Sequence, residues 1–291
     1  MRIVSLVPAA TEIAIALGAA ELIVAVTHDD DHPLVASVPR VTSSTIPAGA
    51  TAREIDTLVR SAGARGESTF HLDEAAFKEA KPDIVLGQTL CAVCALTLER
   101  IPATLGQTPT VVPLEAGSFE GMFADVRRVG AALGRDREAE ALVTESRARL
   151  RAVADRVRDR ERPRVACLEW LDPPFNGGHW IPEQVAIAGG TDVLGTPGAR
   201  SREITWDDLR AARPDIVVAM PCGWDAEQGA DEARKIPTID GALVVAVDGA
   251  AYFSRPGPRL VDGAELLASI FHPDRAAPPR GARVVSRAAS V

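Results

Sequence analysis

The sequence states one structural phrase twice. Residues 80–86 read Ala-Lys-Pro-Asp-Ile-Val-Leu, and residues 212–218 read Ala-Arg-Pro-Asp-Ile-Val-Val. In each, a helix end meets a Pro-Asp turn and then a run of branched apolar residues that reads as a buried strand. The openings of the two halves match as well. Arg2-Ile-Val-Ser-Leu precedes a Pro-bearing loop, a helix and Leu17-Gly18-Ala19, while Arg164-Val-Ala-Cys-Leu precedes a longer Pro-bearing loop, a helix and Ala188-Gly189-Gly190. Two copies are too few for a solenoid. They fit an α/β chain of two similar lobes, and two such lobes imply a cleft between them where a ligand sits.

A length of 291 residues suits two domains of ordinary size, and a hydrophobic content of 46% supplies a core for each. The net charge of −8 argues against nucleic-acid binding and against anionic membranes as partners. The longest apolar runs, Ile13–Ala20 and Ala242–Val247, fall far short of the roughly 20 residues a membrane span needs. Met1 is followed at once by a strand pattern, Ile3–Val7, which leaves no room for a secretory signal. The sequence as written is therefore expected to stay in the cytoplasm, and to be extracytoplasmic if its start is truncated or mis-assigned. Four cysteines in a chain of this length do not make a disulfide framework.

Alternation of strands and helices predicts two Rossmann-like lobes with parallel sheets, joined by a long connecting helix. The first lobe covers residues 1–116, with strands at Ile3–Val7, Ile23–Val26, Ile84–Gln88 and Thr110–Val112. Its helices fall at Ala10–Leu17, Thr51–Ala62 and Asp73–Ala80. A helical pattern over 117–161 forms the interlobe segment, with Ser118 as N-cap and a break or bend at Gly134-Arg-Asp136. A helical connector is stiffer than a loop, which predicts small opening and closing motions. The second lobe covers 162–273, with strands at Arg164–Leu168, Ile216–Met220 and Leu243–Val247 and helices at Ile181–Ala188, Thr205–Ala212 and Val261–Ile270. The tail, 274–291, is expected to be disordered.

Open α/β sheets bind ligands outside the carboxyl ends of their strands. The loops to inspect are therefore Pro8-Ala9-Ala10-Thr11, Thr27–His32, Gln88–Cys94, Glu169–Trp180, Pro221–Asp225 and Asp248–Pro258. Trp170, Trp180, Trp224 and the single tyrosine, Tyr252, lie in the second-lobe loops, whereas Trp206 starts a helix. Large flat side chains there suit a broad, partly apolar ligand, or else they cap the core from above. His179, beside two glycines and the only asparagine, is either a metal ligand or hydrogen-bond donor, or a polar surface residue. Cys91-Ala-Val-Cys94 has three readings. It is a redox pair, or part of a zinc site completed by Cys222, or two small residues lining the cleft. His28-Asp-Asp-Asp-His32 reads as a turn before Pro33 or as a cation site. Taken together as metal donors, the alternatives are His28, Cys91, Cys94, His179 and Cys222. No phosphate loop, dinucleotide fingerprint, nucleophile elbow or HExxH motif occurs, and nothing in the sequence demands catalysis.

At this point a family emerges. Ile3-Val-Ser-Leu-Val-Pro-Ala-Ala-Thr-Glu12, Ala16-Leu-Gly18, Val24–Val26 and Lys81-Pro-Asp-Ile-Val85 resemble the ABC-importer binding proteins for cobalamin, ferric siderophores and haem. Gln88–Cys94, Gly178–Glu183 and Asp248–Pro258 resemble the cobalamin-binding branch. The resemblance reaches to about residue 272 and implies a rigid helix between two lobes, a shallow cleft and a non-catalytic receptor. Its likeliest ligand is cobalamin or another corrinoid, with a siderophore, haem or a metal ion as the alternative and a CxxC redox protein as the second. No covalent cofactor is implied. Trp170, Trp180 and Tyr252 would stack on the ring, with Trp224, Pro8, Ala9, Thr11, Cys91, Cys94, His179 and Cys222 around it. His28, Gln88 and Arg255 would reach its polar edge. An ABC permease is the implied partner, docked through Asp207 and, with its spacing off by one residue, Glu74. A cytosolic protein could not serve such a permease.

Overall fold

The computed structural model describes residues 1–88, 109–273 and 281–286. The chain divides into two compact units, Met1–Ala116 with Glu120–Glu145, and Gly117–Phe119 with Ser146–Val291.

The first unit runs β1 (Ile3–Ser5), α1 (Pro8–Ala16), β2 (Ile23–Val26), β3 (Thr42–Ser44), α2 (Ala52–Ala64), β4 (Phe70–Leu72), α3 (Glu74–Ala80), β5 (Ile84–Gln88) and β6 (Thr110–Leu114). It continues into α4 (Phe119–Leu133) and the start of α5 (Asp136–Val157). Its main sheet is parallel, in the order β2-β1-β5-β6. β1 and the first four residues of β5 are buried, as expected of parallel strands covered on both faces. Val4, Leu6, Ala25, Val41, Phe77 and Val85 form its core. β3 and β4 make a separate antiparallel pair that the sequence pattern did not reveal. Helix α1 begins two residues before the expected start because Pro8 occupies its first turn, where a fixed φ and a missing N–H cost nothing. Thr51 and Glu54 close α2 with a reciprocal capping box.

The second unit contains the rest of α5, then β7 (Arg164–Leu171), β8 (Pro174–Asn176), α6 (Ile181–Ile187), β9 (Thr191–Asp192), α7 (Trp206–Ala211), β10 (Ile216–Ala219), α8 (Ala226–Ala233), β11 (Leu243–Val247), α9 (Gly249–Tyr252), α10 (Leu260–Phe271) and β12 (Ala282–Ser286). Its sheet has the order β12-β11-β10-β7-β8, with β9 also on β7. The central three strands are parallel, and β8 and β12 add antiparallel edges. Of the tail expected to be disordered, residues 281–286 are described, and strand β12 departs from that expectation. Residues 282–286 pair with β11, and Ala282 is buried against it.

The helical stretch 117–161 is two helices, and its residues are shared between the units. Gly134 (φ +67°) makes the break by turning through the left-handed region, and the Arg135 N–H returns to the Gly130 carbonyl at 2.7 Å. The Phe119 N–H at the head of α4 is met by the Glu183 carboxylate at 2.9 Å.

The repeated phrase has one geometry in both units. The Arg2 N–H donates to Asp83 Oδ2 at 2.8 Å, and the Arg164 N–H donates to Asp215 Oδ2 at 2.7 Å. The Asp83 and Asp215 N–H groups return to the carbonyls of Arg2 and Arg164. The guanidinium of each arginine then caps the helix just before the turn, Arg2 on the Ala80 carbonyl and Arg164 on those of Ala212 and Arg213. A cation there complements the negative end of the helix dipole. The lock sets strand register, Ile3 opposite Ile84 and Val165 opposite Ile216. In both copies the residue before proline is left-handed, Lys81 at φ 44° and Arg213 at φ 45°. A residue with a Cβ pays for that conformation, and glycine does not. Arg213→Gly is therefore expected to raise unfolding stability by about 0.5 kcal/mol, net of the extra unfolded-state entropy. Urea denaturation checks it, and a loss of stability would refute the strain assignment.

Candidate ligand-binding site

Three loops leave the carboxyl ends of β7, β10 and β11 in the second unit, and backbone hydrogen bonds tie them together. The Cys222 N–H donates to the Glu169 carbonyl at 3.0 Å, extending the pairing of β10 with β7. Gly223 (φ +78°) then turns the chain so that the Trp224 N–H closes on the Pro221 carbonyl. The Ala250 N–H donates to the Trp224 carbonyl at 3.0 Å, which joins the third loop to the second. Trp170 and Trp224 are thereby brought together, their ring centroids 5.4 Å apart and tilted by 51°. Both are half-buried. Tyr252 lies in the third loop with the Arg259 guanidinium 5.0 Å above its ring. Burial pushes the Asp248 carboxyl above its usual range, and the Ala251 N–H, Arg259 and Arg255 only partly offset that.

Trp180 departs from the expected rim position. It is 6% exposed, and its indole N–H donates to the Phe253 carbonyl at 2.8 Å. A buried indole needs such a partner, and finding one inside the fold fixes Trp180 in the core. His179 sits on it, with ring centroids 5.6 Å apart and planes within 28°. The loop leading there is clamped. A Cβ on Gly178 would lie 2.2 Å from the Ser201 nitrogen, and one on Gly177 would lie 2.7 Å from Ile181. The Gly178 N–H is also held by Glu169 Oε1 at 2.8 Å, and the buried Asn176 bonds Leu194 and Arg202. His179 is left-handed (φ 51°), and its backbone pairs with Ala199 and Gly198.

Burial first, and the Arg200 charge second, push the His179 pKa below its usual value. An unfolded imidazole takes its proton near pH 6.5, whereas the folded one resists it. The neutral ring therefore supports the fold above that pH, and the support is lost as pH falls through the lowered folded pKa. His272, depressed chiefly by burial, acts in the same direction. The raised carboxyls of Asp125, Asp192 and Asp248 act in the opposite one. Unfolding free energy measured from pH 7.5 to 5 for wild type and His179→Gln isolates the histidine. The variant is expected to lose less stability on acidification, and parallel curves would refute the assignment.

In the first unit, Thr11 is buried and its hydroxyl donates to Ser5 Oγ at 2.8 Å, so it faces the interior. Ala9 is buried, and Pro8 and Gln88 are half-buried. His28 was expected at the ligand's polar edge and is instead engaged by the protein. Its Nδ1 meets Thr42 Oγ1 at 2.7 Å, and its buried Nε2 faces Asp29 Oδ1 at 3.1 Å. Thr42 also binds Thr27 and the His28 N–H. The His-Asp-Asp-Asp-His string is a turn, with Asp30 accepting from the His32 N–H and His32 Nδ1 from the Leu34 N–H. Among the described residues no group of three or more His, Cys, Asp or Glu side chains is placed to hold a metal ion. Cys91 and Cys94 lie outside the described residues. Cys222 is half-buried in the second-unit loops.

The residues expected to dock a permease head helices that precede the two copies of the repeat. Glu74 is the first residue of α3 and Asp207 the second of α7, which accounts for the one-residue offset. The Asp207 side chain is 91% exposed and paired with Arg210. Glu169 and Asp248 entered the sequence reading only as the first residues of two loops, and Arg200 and Arg259 escaped it. Only Asp248 carried a local signal, as the side chain that caps the single turn Gly249–Tyr252.

The model of the periplasmic binding protein family matches residues 3–241. The ABC transporter substrate-binding lipoprotein YvrC of Bacillus subtilis (strain 168) is 22% identical, over 94% of this chain and 80% of that protein. Among solved structures, a periplasmic heme-binding protein from Pseudomonas aeruginosa matches with a TM-score of 0.70 and 21% identity, covering 99% of each chain. The periplasmic vitamin B12-binding protein BtuF of Vibrio cholerae matches with a TM-score of 0.60 and 18% identity, over 93% of this chain and 96% of that one. These likenesses show the two-lobe fold. They also overturn the cytosolic placement, because the family is periplasmic and the relatives are a lipoprotein and periplasmic proteins. The apolar run after Met1 is strand β1, and a strand does not report the compartment of the fold. No helix among the described residues is long and apolar enough to cross a membrane.

Proposed function

This chain belongs to the periplasmic binding protein family, and we propose that it is the extracytoplasmic receptor of an ABC importer for a broad, flat metal chelate, a corrinoid first. It is a substrate-binding protein of the ABC-transporter type, and the reading is of a non-catalytic one. The observation that carries the ligand class is the Trp170–Trp224 pair, two half-buried indoles held together at the carboxyl ends of the strands. Such a pair offers a large apolar surface at small entropic cost to a ring with apolar faces.

A second reading has its own observation. The His179 ring nitrogens make no hydrogen bond among the described residues, and burial and then the Arg200 charge lower the pKa of the ring, which favours its neutral form. A neutral imidazole is a metal ligand. This favours a chelate whose metal has an open axial position, which includes haem as well as a corrinoid. Asp207, with Glu74, is assigned to permease docking on its exposure at a helix head.

Calorimetric titration with cobalamin, cobinamide and haemin tests both readings, with a metal-free porphyrin to separate stacking from ligation. Saturable heat from a corrinoid supports the first. Haemin binding weakened by His179→Gln, with no corrinoid binding, supports the second. No heat from any of them at high protein concentration rejects the class.

A further inference from the structure

The third ligand loop rests on the end of the chain. The Asp248 N–H, at the head of that loop, donates to the Gly281 carbonyl at 3.0 Å. Gly281 opens β12 and lies in the left-handed region at φ +87°. A Cβ on Gly281 would lie 3.0 Å from Cε2 of Tyr252. The Tyr252 ring thus lies close against the Gly281 backbone, with Arg259 over its face. From Gly281 the chain pairs at once, Ala282 opposite Val247, so the ring's neighbour is fixed to the sheet. The family match ends at residue 241, short of this whole assembly.

We infer that β12 is a positioning element of the binding site, with Gly281 setting where the Tyr252 ring stands. This rests on the reading of Tyr252 as a ligand contact. Glycine is required twice over, since its φ strains any other residue and the space for a side chain is taken by the ring. Asp248 links the two, bonding Gly281 through its N–H and the Ala251 N–H through its carboxylate. Gly281 acts through Tyr252 and does not itself meet ligand.

The chain has one tyrosine, so nitration by tetranitromethane, located by mass spectrometry, reports Tyr252 alone. Gly281→Ala is expected to change the nitration rate of Tyr252 and to weaken binding of cobalamin or haemin about tenfold. In a Tyr252→Ala background the same substitution is expected to cost no further affinity, because the residue it acts through is gone. Unchanged nitration, or an affinity loss that persists in that background, overturns the inference. If Gly281→Ala does not fold, Val284→Pro weakens the pairing of β12 with β11, and a Tyr252 nitration rate equal to wild type then overturns it. If wild type binds neither cobalamin nor haemin, the functional reading fails by itself, and nitration still decides the role of Gly281.

Discussion

Trp170→Ala and Trp224→Ala are each expected to weaken binding of the proposed chelate ligand by about 30-fold, and the pair together by less than the product of the two. Large aromatic anchors in half-desolvated positions carry most of an interface's energy, and truncation removes about 2 kcal/mol apiece. Their ring centroids are 5.4 Å apart, so the two losses are coupled and do not multiply. Neither ring is in the buried core, which keeps the expected stability change small. Trp180→Phe is the control. It removes the N–H held by Phe253 and leaves that buried carbonyl without its donor, so it is expected to cost stability by about 1–2 kcal/mol with little direct effect on affinity. Titration of all three variants with cobalamin and haemin checks the assignment. It fails if Trp180→Phe weakens binding as much as the other two.

The largest effect on stability is expected at Asp125, in the first unit. Its side chain is 1% exposed and accepts from the Glu115 and Ala116 N–H groups at 2.8 and 2.9 Å, and from Arg128. Burial pushes its pKa up, and the two amides and the guanidinium only partly offset that. Asp125→Ala leaves the Glu115 and Ala116 N–H groups without their acceptor, while Arg128 keeps the Pro113 carbonyl and Glu115, at a cost of about 2–3 kcal/mol. Asp125→Asn keeps one carbonyl oxygen and is expected to lose about 1 kcal/mol. All four tryptophans lie in the second unit. Indole fluorescence therefore follows that unit, while far-ultraviolet dichroism follows both. The Asp125→Ala transition seen by dichroism is expected to move to lower urea. A shift no larger than that of Asp125→Asn would show that the carboxylate is not the anchor.

Much of the fold was legible because it is locally encoded. The strands Ile23–Val26, Ile84–Gln88 and Leu243–Val247 occur where the apolar runs placed them. So does the break at Gly134, and the helices expected to begin at Asp73 and Thr205 begin one residue later with those residues as their caps. Apart from β8, which folds back on β7 through a tight turn, what escaped depends on partners distant in sequence. β3 and β4 are three residues each and exist only as a pair. β8, β9 and β12 are recruited by strands already in place.

The site was legible as a set of loops and not as orientations. Composition put Trp170, Trp180 and Trp224 on the same footing. What separates them is whether the indole N–H finds an internal acceptor, and for Trp180 that acceptor is the carbonyl of Phe253, in another loop. His28 went the same way, since Thr42, which fixes its ring, lies across a turn. A polar residue after a strand can face a ligand or lock its own loop, and sequence does not distinguish these when the partner is remote.

The antiparallel strand β12 has one more consequence. It covers the flank of β11, so the N–H and C=O groups along that side are met within the chain. An uncovered parallel strand of branched residues, Leu243–Val247, would be a template for the matching strand of another molecule. The open edge of the sheet is thereby moved from β11 to β12, a strand that carries the charged, exposed Arg283, and a chain cut short by proteolysis near its carboxyl end would present the apolar edge of β11 instead and be prone to aggregate.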